Sequence, residues 1–230
     1  MNAYRIGVVS EGPTHFQVIA GIVNKIVPGS HIFLPIQPNL SETEGLGQKS
    51  SDRHSNGWKS VLSWCRSFSA DLSSMGVNEF LQSLRIDILI IQLDADVSRE
   101  PDIDCAKPCP EAESTVAELE YLIRNSLDID HFGDRIICCI PSDNTEAWAL
   151  TALDHAGNYH GDGKYIECVH KPDDILSKPP FKVIARKEGK PKKNQVKYSR
   201  EVLPAILDNW DYVRSYCSQA EKLHDRLLHI

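Results

Sequence analysis

The sequence predicts an α/β fold, an open and mostly parallel sheet flanked by helices, with a basic loop and C-terminal helices added to it. Three observations predict it. Short, nearly continuous apolar runs recur at 4–10, 31–36, 86–93 and 135–140, as suits strands buried on both faces of a parallel sheet. Stretches with apolar residues near helical spacing lie between them, and such alternation implies crossover connections. Acidic residues follow the first and third runs directly and the fourth within three residues, at the strand ends where open α/β sheets place their ligand crevice.

The elements follow in order. Tyr4 to Ser10 is the first strand and ends on Glu11-Gly12-Pro13-Thr14. Gly12 permits a tight turn, and Pro13 suits a first helical turn, where its missing N–H costs nothing. Phe16, Ile19, Val23, Ile26 and Val27 then mark a helix. His31 to Ile36 is the second strand, and 37–57, rich in Ser, Asn, Gly and charge, is expected as a long loop. A helix starts at Trp58, with Val61, Leu62, Trp64 and Cys65 inward, and Trp58 and Trp64 are expected in the core rather than as base-stacking platforms. Val77 to Leu84 is a short helix before the third strand. That strand ends on Asp94 and Asp96, one residue apart, so both are expected to project the same way. Ser98 to Pro110 is a loop, and Glu111 to Leu127 is a helix with Val116, Leu119, Leu122 and Ile123 inward.

Arg135 to Ile140, the fourth strand, ends on Pro141-Ser142-Asp143-Asn144-Thr145-Glu146. One reading makes Ser142 or Asp143 the N-cap of a helix, with Glu146 in its first turn as in a capping box. The other places Glu146 or Asn144 in the crevice. From 156 to 200 the composition turns basic: Lys182, Arg186, Lys187, Lys190, Lys192, Lys193, Lys197 and Arg200 accumulate, with Gly189, Pro191 and Asn194 pointing to a loop. Val202 to Leu228 reads as one or two helices. Its stripe of Leu203, Ile206, Leu207, Trp210, Val213, Tyr216, Cys217, Ala220, Leu223 and Leu227 is expected on the sheet or in a homodimer contact. The expected organisation is therefore an α/β unit at 1–155, a basic segment at 156–200 and a helical segment at 201–230.

The 230 residues and 41% apolar content suit one compact α/β unit. No apolar run reaches membrane-spanning length and no secretory signal pattern opens the chain, so a cytoplasmic protein without a membrane partner is expected. Seven cysteines without even spacing suggest reduced thiols. Cys105 and Cys109 have the spacing of half a zinc site, with Cys168 and His170 as candidates for the other half.

Carboxylates close together at strand ends repel one another unless a cation sits between them, and hard oxygen donors suit Mg2+ or Mn2+. Glu11 in Val8-Val9-Ser10-Glu11-Gly12-Pro13-Thr14 and the later Leu93-Asp94-Ala95-Asp96 resemble the Toprim (topoisomerase–primase) pattern, over roughly residues 4 to 150. The Glu-Gly-x-Thr form is most similar to small stand-alone and overcoming-lysogenization-defect-type nucleases, many of them linked to phage defence. The resemblance implies a Toprim-like, Rossmann-like fold and Mg2+ or Mn2+ held by Glu11, Asp94 and Asp96. It implies hydrolysis of DNA or RNA, with an ATPase or other defence protein as a candidate partner; the chain carries no Gly-Lys-Ser/Thr phosphate loop of its own. Where nuclease relatives often carry an acid, this chain has His15, either a neutral imidazole ligand or a solvated residue at a helix start. Lys193 or Lys197 is the expected cation at the developing charge, and the basic segment is expected to hold neighbouring phosphates. Leu93-Asp94-Ala95-Asp96-Val97 also looks like motifs of family-2-type glycosyltransferases and haloacid-dehalogenase phosphatases, which keeps a different phosphate enzyme open. A third reading is a non-catalytic module that binds nucleic acid or a partner.

Overall fold

The computed structural model describes residues 3–38, 57–105, 112–160 and 164–230. Four strands, β1 (Arg5–Val9), β2 (Ile32–Gln37), β3 (Ile88–Gln92) and β4 (Ile136–Cys139), form one sheet in the order β2-β1-β3-β4. All three pairings are parallel, as the alternation of strands and helices predicts. The β1–β3 register sets Val9 beside Ile91, and the β3–β4 register sets Gln92 beside Cys139, so the three strands end almost level. Most of 37–57, the expected long loop, lies outside the described residues, as do 106–111.

Helices cover both faces. On one face Ile6, Val8, Ile88, Ile90 and Ile137 meet α1 (Pro13–Ile26), α4 (Thr145–Leu153) and the C-terminal helices. On the other, Val9, Leu89, Ile91 and Ile136 meet α2 (Trp58–Ser83) and α3 (Ala112–Leu127). This two-sided burial explains why the strand sequences run apolar without a break. Trp64 packs on Phe68 and Phe80, with ring centroids 5.0 and 6.5 Å away, so it belongs to the core; Trp58 packs against the same core, partly buried.

Several boundaries differ from expectation. The helices expected near Trp58 and Val77 form one span, kinked at Gly76, whose φ of 77° is left-handed territory that glycine enters readily. The basic segment is more ordered than a loop. It holds a short α5 (Pro172–Leu176), a hairpin of β5 (Ala185–Lys187) and β6 (Lys190–Lys192), and a single turn, α6 (Gln195–Lys197). A wide helical turn at Tyr198–Val202 follows. The C-terminal stripe is divided among α7 (Leu203–Asp208), α8 (Trp210–Tyr216) and α9 (Ser218–Leu228). It packs within the chain: Trp210 meets Trp148 of α4 edge to face at 5.7 Å, and Val213, Cys217, Ala220, Leu223 and Leu227 are buried in the same core. Among the described residues no helix is long and apolar enough to cross a membrane.

Candidate functional site

The site forms where β1, β3 and β4 end. Glu11 stands two residues beyond β1, and its backbone N–H donates to Gln92 Oε1 at 3.0 Å. Gln92, a lone amide in an apolar strand, donates from Nε2 to Asp94 Oδ1 at 2.7 Å. The Asp94 backbone N–H donates to Glu11 Oε1 at 2.7 Å, so Glu11 and Asp94 are locked together across the β1–β3 seam. Thr145 Oγ1, at the start of α4, donates to Asp94 Oδ1 at 3.3 Å. Asp94 is buried.

Asp96 does not continue the strand. The chain turns at Asp94 into a short 3-10 turn, Ala95–Arg99. Ala95 and Asp96 donate their N–H groups to Pro141 and Asp143 carbonyls at 3.0 and 2.7 Å. These bonds to the segment after β4 override strand alternation, so the expectation that Asp94 and Asp96 share a face through strand geometry fails. Asp96 instead lines a cleft of about 660 Å³ with Arg99, Asp143, His170, Lys171 and Arg186.

After β4, Asn144 is the N-cap of α4, accepting from the Glu146 N–H at 3.1 Å, in place of the expected Ser142 or Asp143. Asp143 is buried at a left-handed φ of 61° and pairs with Arg99. Glu146 lies in the first turn of α4, as the capping-box reading has it, but it is fully buried, and its Oε2 lies 2.8 Å from Lys193 Nζ. The same ammonium lies 3.1 Å from His15 Nε2, which is itself 3.3 Å from Asp94 Oδ2. His15 is buried, which overturns its reading as a solvated helix-start residue. Lys193 directly follows β6, so the hairpin delivers the site's central cation.

The electrostatics follow from packing acids together away from water. Burial pushes the Glu11 carboxyl up to about 7, against the Asp94 N–H bond that favours its ionised form. Burial, then Glu11 and Asp96, hold Asp94 well above the usual carboxylate range. Burial and Asp143 raise Asp96 to about 6. Burial disfavours the Lys193 ammonium, but Glu146 and Asp94 outweigh it and its pKa rises. Burial, then Lys193, lowers that of His15, which keeps the imidazole neutral. Burial and neighbouring Glu146 lift the Tyr198 phenol well above its usual value.

The donor chemistry of Glu11, Asp94 and Asp96 fits a hard divalent ion, because buried acids with raised proton affinity hold too little compensating positive charge. Their side chains are not closed around one: among the described residues no three His, Cys, Asp or Glu groups are already gathered to hold a metal. Lys193 stands as the counter-charge instead.

Not every expected residue arrives. Lys197 Nζ is bonded to the Lys182 carbonyl at 2.6 Å and lies 3.7 Å from Glu201, away from the cluster. Arg186 lines the cleft, held by Asp174 and Ser177 at 3.0 and 2.7 Å. Lys187, Lys192 and Arg200 are exposed, and the side chain of Lys190 lies outside the described residues. Cys109 of the half zinc site also lies outside them; Cys168 is disulfide-bonded and offers zinc no thiolate, whereas Cys65, Cys105, Cys138, Cys139 and Cys217 are free, as expected of reduced thiols. Sequence reasoning gave no site role to Gln92, Thr145, Asp143, Arg99 or Tyr198; of these Gln92 carried a signal as an amide inside a buried strand, and Asp143 and Thr145 lay in the polar cluster after the fourth strand. No protein-family model, curated protein or solved structure matches the chain.

Proposed function

We propose that this chain is a divalent-cation-dependent nuclease that hydrolyses phosphodiester bonds of DNA or RNA. One observation carries the reading: Glu11 and Asp94, just beyond β1 and β3, are bonded to each other, and Lys193, paired with Glu146 of α4, lies against the His15 that contacts Asp94, while Asp96 lines the neighbouring cleft. The resemblance to the Toprim pattern, carried by the same Glu11 and Asp94-Ala95-Asp96, agrees with it.

Glu11, Asp94 and Asp96 would hold Mg2+ or Mn2+. Such an ion supplies positive charge at the scissile phosphate and favours hydroxide over water near it. Lys193, paired with Glu146, is placed to stabilise negative charge building on the phosphoryl oxygens. Glu146, buried and paired with Lys193 at 2.8 Å, orients the lysine or the attacking water. Arg186 at the cleft wall and the exposed Lys187 and Lys192 on the hairpin hold flanking phosphates. A second reading, a non-catalytic binding module, draws on the surroundings of Lys193: an ammonium already serves as the cluster's counter-ion.

The test is cleavage of plasmid, single-stranded DNA and RNA in Mg2+ or Mn2+, with Glu11→Gln and Asp94→Asn alongside. Cleavage that both variants lose supports the nuclease and names its substrate. No cleavage, with no cation-dependent rise in Tm, leaves the binding module. A cation-dependent rise without cleavage points to a required partner or another phosphate substrate.

A further inference from the structure

We infer that Gln92 is a positioning residue: its side-chain amide turns the Glu11 and Asp94 carboxyls so that one fixed oxygen of each faces the substrate. The inference rests on the reading above, in which those two acids take part in the chemistry. Gln92 closes β3 and is 1% exposed. Strand alternation sets it on the face of Ile88 and Ile90, in line with an otherwise apolar stripe. A buried amide costs free energy unless both its ends are bonded, and an apolar side chain would pack there without that cost. The sheet itself therefore has no use for an amide at this position.

Both ends are bonded, and to the two acids. The Glu11 N–H donates to Gln92 Oε1 at 3.0 Å, and Gln92 Nε2 donates to Asp94 Oδ1 at 2.7 Å. The Asp94 N–H closes the ring by donating to Glu11 Oε1 at 2.7 Å. The amide has one orientation in this ring: turned over, it would set Oε1 against a carboxyl oxygen and Nε2 against an N–H. The ring occupies Glu11 Oε1 and Asp94 Oδ1, the latter also accepting from Thr145 Oγ1 at 3.3 Å. It leaves Glu11 Oε2 and Asp94 Oδ2 for the site, and that Oδ2 lies 3.3 Å from His15 Nε2.

Neither a hydrophobe nor an ionised glutamate can take this place. Leucine offers no polar atom, and a glutamate carboxylate offers Asp94 no donor. Without the amide, Asp94 Oδ1 keeps only the long bond from Thr145, and the carboxyl is free to rotate and swap the oxygen it presents. A reacting group misplaced by about 1 Å costs about a hundredfold in rate, so the effect belongs in kcat.

The test measures kcat and KM of the full chain on whichever of plasmid, single-stranded DNA or RNA the wild type cleaves. Gln92→Met and Gln92→Glu run beside Ile90→Val, a packing control on the same strand face, with folding checked by circular dichroism. Nuclear magnetic resonance follows exchange of the Gln92 side-chain NH2 and the Glu11 N–H. The wild type should hold both groups against exchange, and Gln92→Met should release the Glu11 N–H. Both Gln92 variants should lower kcat about a hundredfold with KM within about threefold, while Ile90→Val keeps kcat within about threefold. Fast exchange of the Gln92 amide in the wild type, wild-type kcat in both Gln92 variants, or an equal loss of kcat in the control overturns the inference and leaves the nuclease standing. No cleavage of any substrate by the wild type, with the amide protected, overturns the nuclease reading and this one with it.

Discussion

At the scale of residues, the site is a set of acids held where they resist ionisation. A carboxyl with a raised folded pKa binds its proton more tightly folded than unfolded. Its contribution to stability is therefore full below the unfolded pKa and is lost as pH rises through the folded one. For Glu11 that window runs from 4.5 to about 7. Without cation, Glu11→Gln should raise Tm at about pH 8, with about 2–4 °C expected per kcal/mol relieved, and change it little at about pH 4.5. Thermal scans in chelator at both pH values check this; an equal shift at both would refute the ionisation argument. Lys193 and Glu146 form the complementary case, with side chains 30% and 1% exposed. Lys193→Met strands a buried carboxylate and should cost about 3 kcal/mol by urea denaturation. Adding Glu146→Gln should recover much of that loss, because both charges are then gone.

Among elements, the β5–β6 hairpin decides whether the site has its lysine. Arg186 pins it to α5 through Asp174 and Ser177, and also donates to the Gly189 carbonyl at the hairpin turn. Arg186→Ala should loosen the hairpin without touching the sheet. Hydrogen exchange should speed up over 185–192 while β1 and β3 keep their protection. Cleavage by the variant should fall about tenfold, a barrier change of about 1.4 kcal/mol. Unchanged exchange in the hairpin would show that Arg186 is not its anchor. The hairpin was illegible in the sequence because Gly189 and Pro191 mark a turn without saying what it turns towards. Its strands are three residues each and expose their side chains at Ala185, Arg186 and Lys187, so no hydrophobic periodicity announces them.

Over the whole molecule, charge is segregated. The chain carries −7 overall while its basic residues concentrate near the hairpin. Non-specific binding to nucleic acid should therefore be weak and steeply salt-dependent. Replacing both Lys187 and Lys192 with Ala should flatten the slope of log Kobs against log salt by about 2, since each phosphate no longer neutralised removes about 0.9. Fluorescence anisotropy across a salt series measures it; an unaltered slope would place the phosphates elsewhere.

What the sequence determined by itself was the framework and the address of the site. Apolar runs such as Ile88–Gln92 admit little but a buried parallel strand, and Glu11 and Asp94 follow strands closely enough that the sheet brings them together. Local pattern could reach that far because burial on both faces leaves a continuous apolar signature. Tertiary structure alone decided the rest. Bonds from Ala95 and Asp96 to carbonyls beyond β4 turned Asp96 out of strand alternation. Tertiary packing brought Asp94 and Lys193 against His15 in the first turn of α1 and chose Lys193, rather than Lys197, to meet Glu146. Both choices depend on interactions between residues far apart in the chain, whose energies no local pattern encodes.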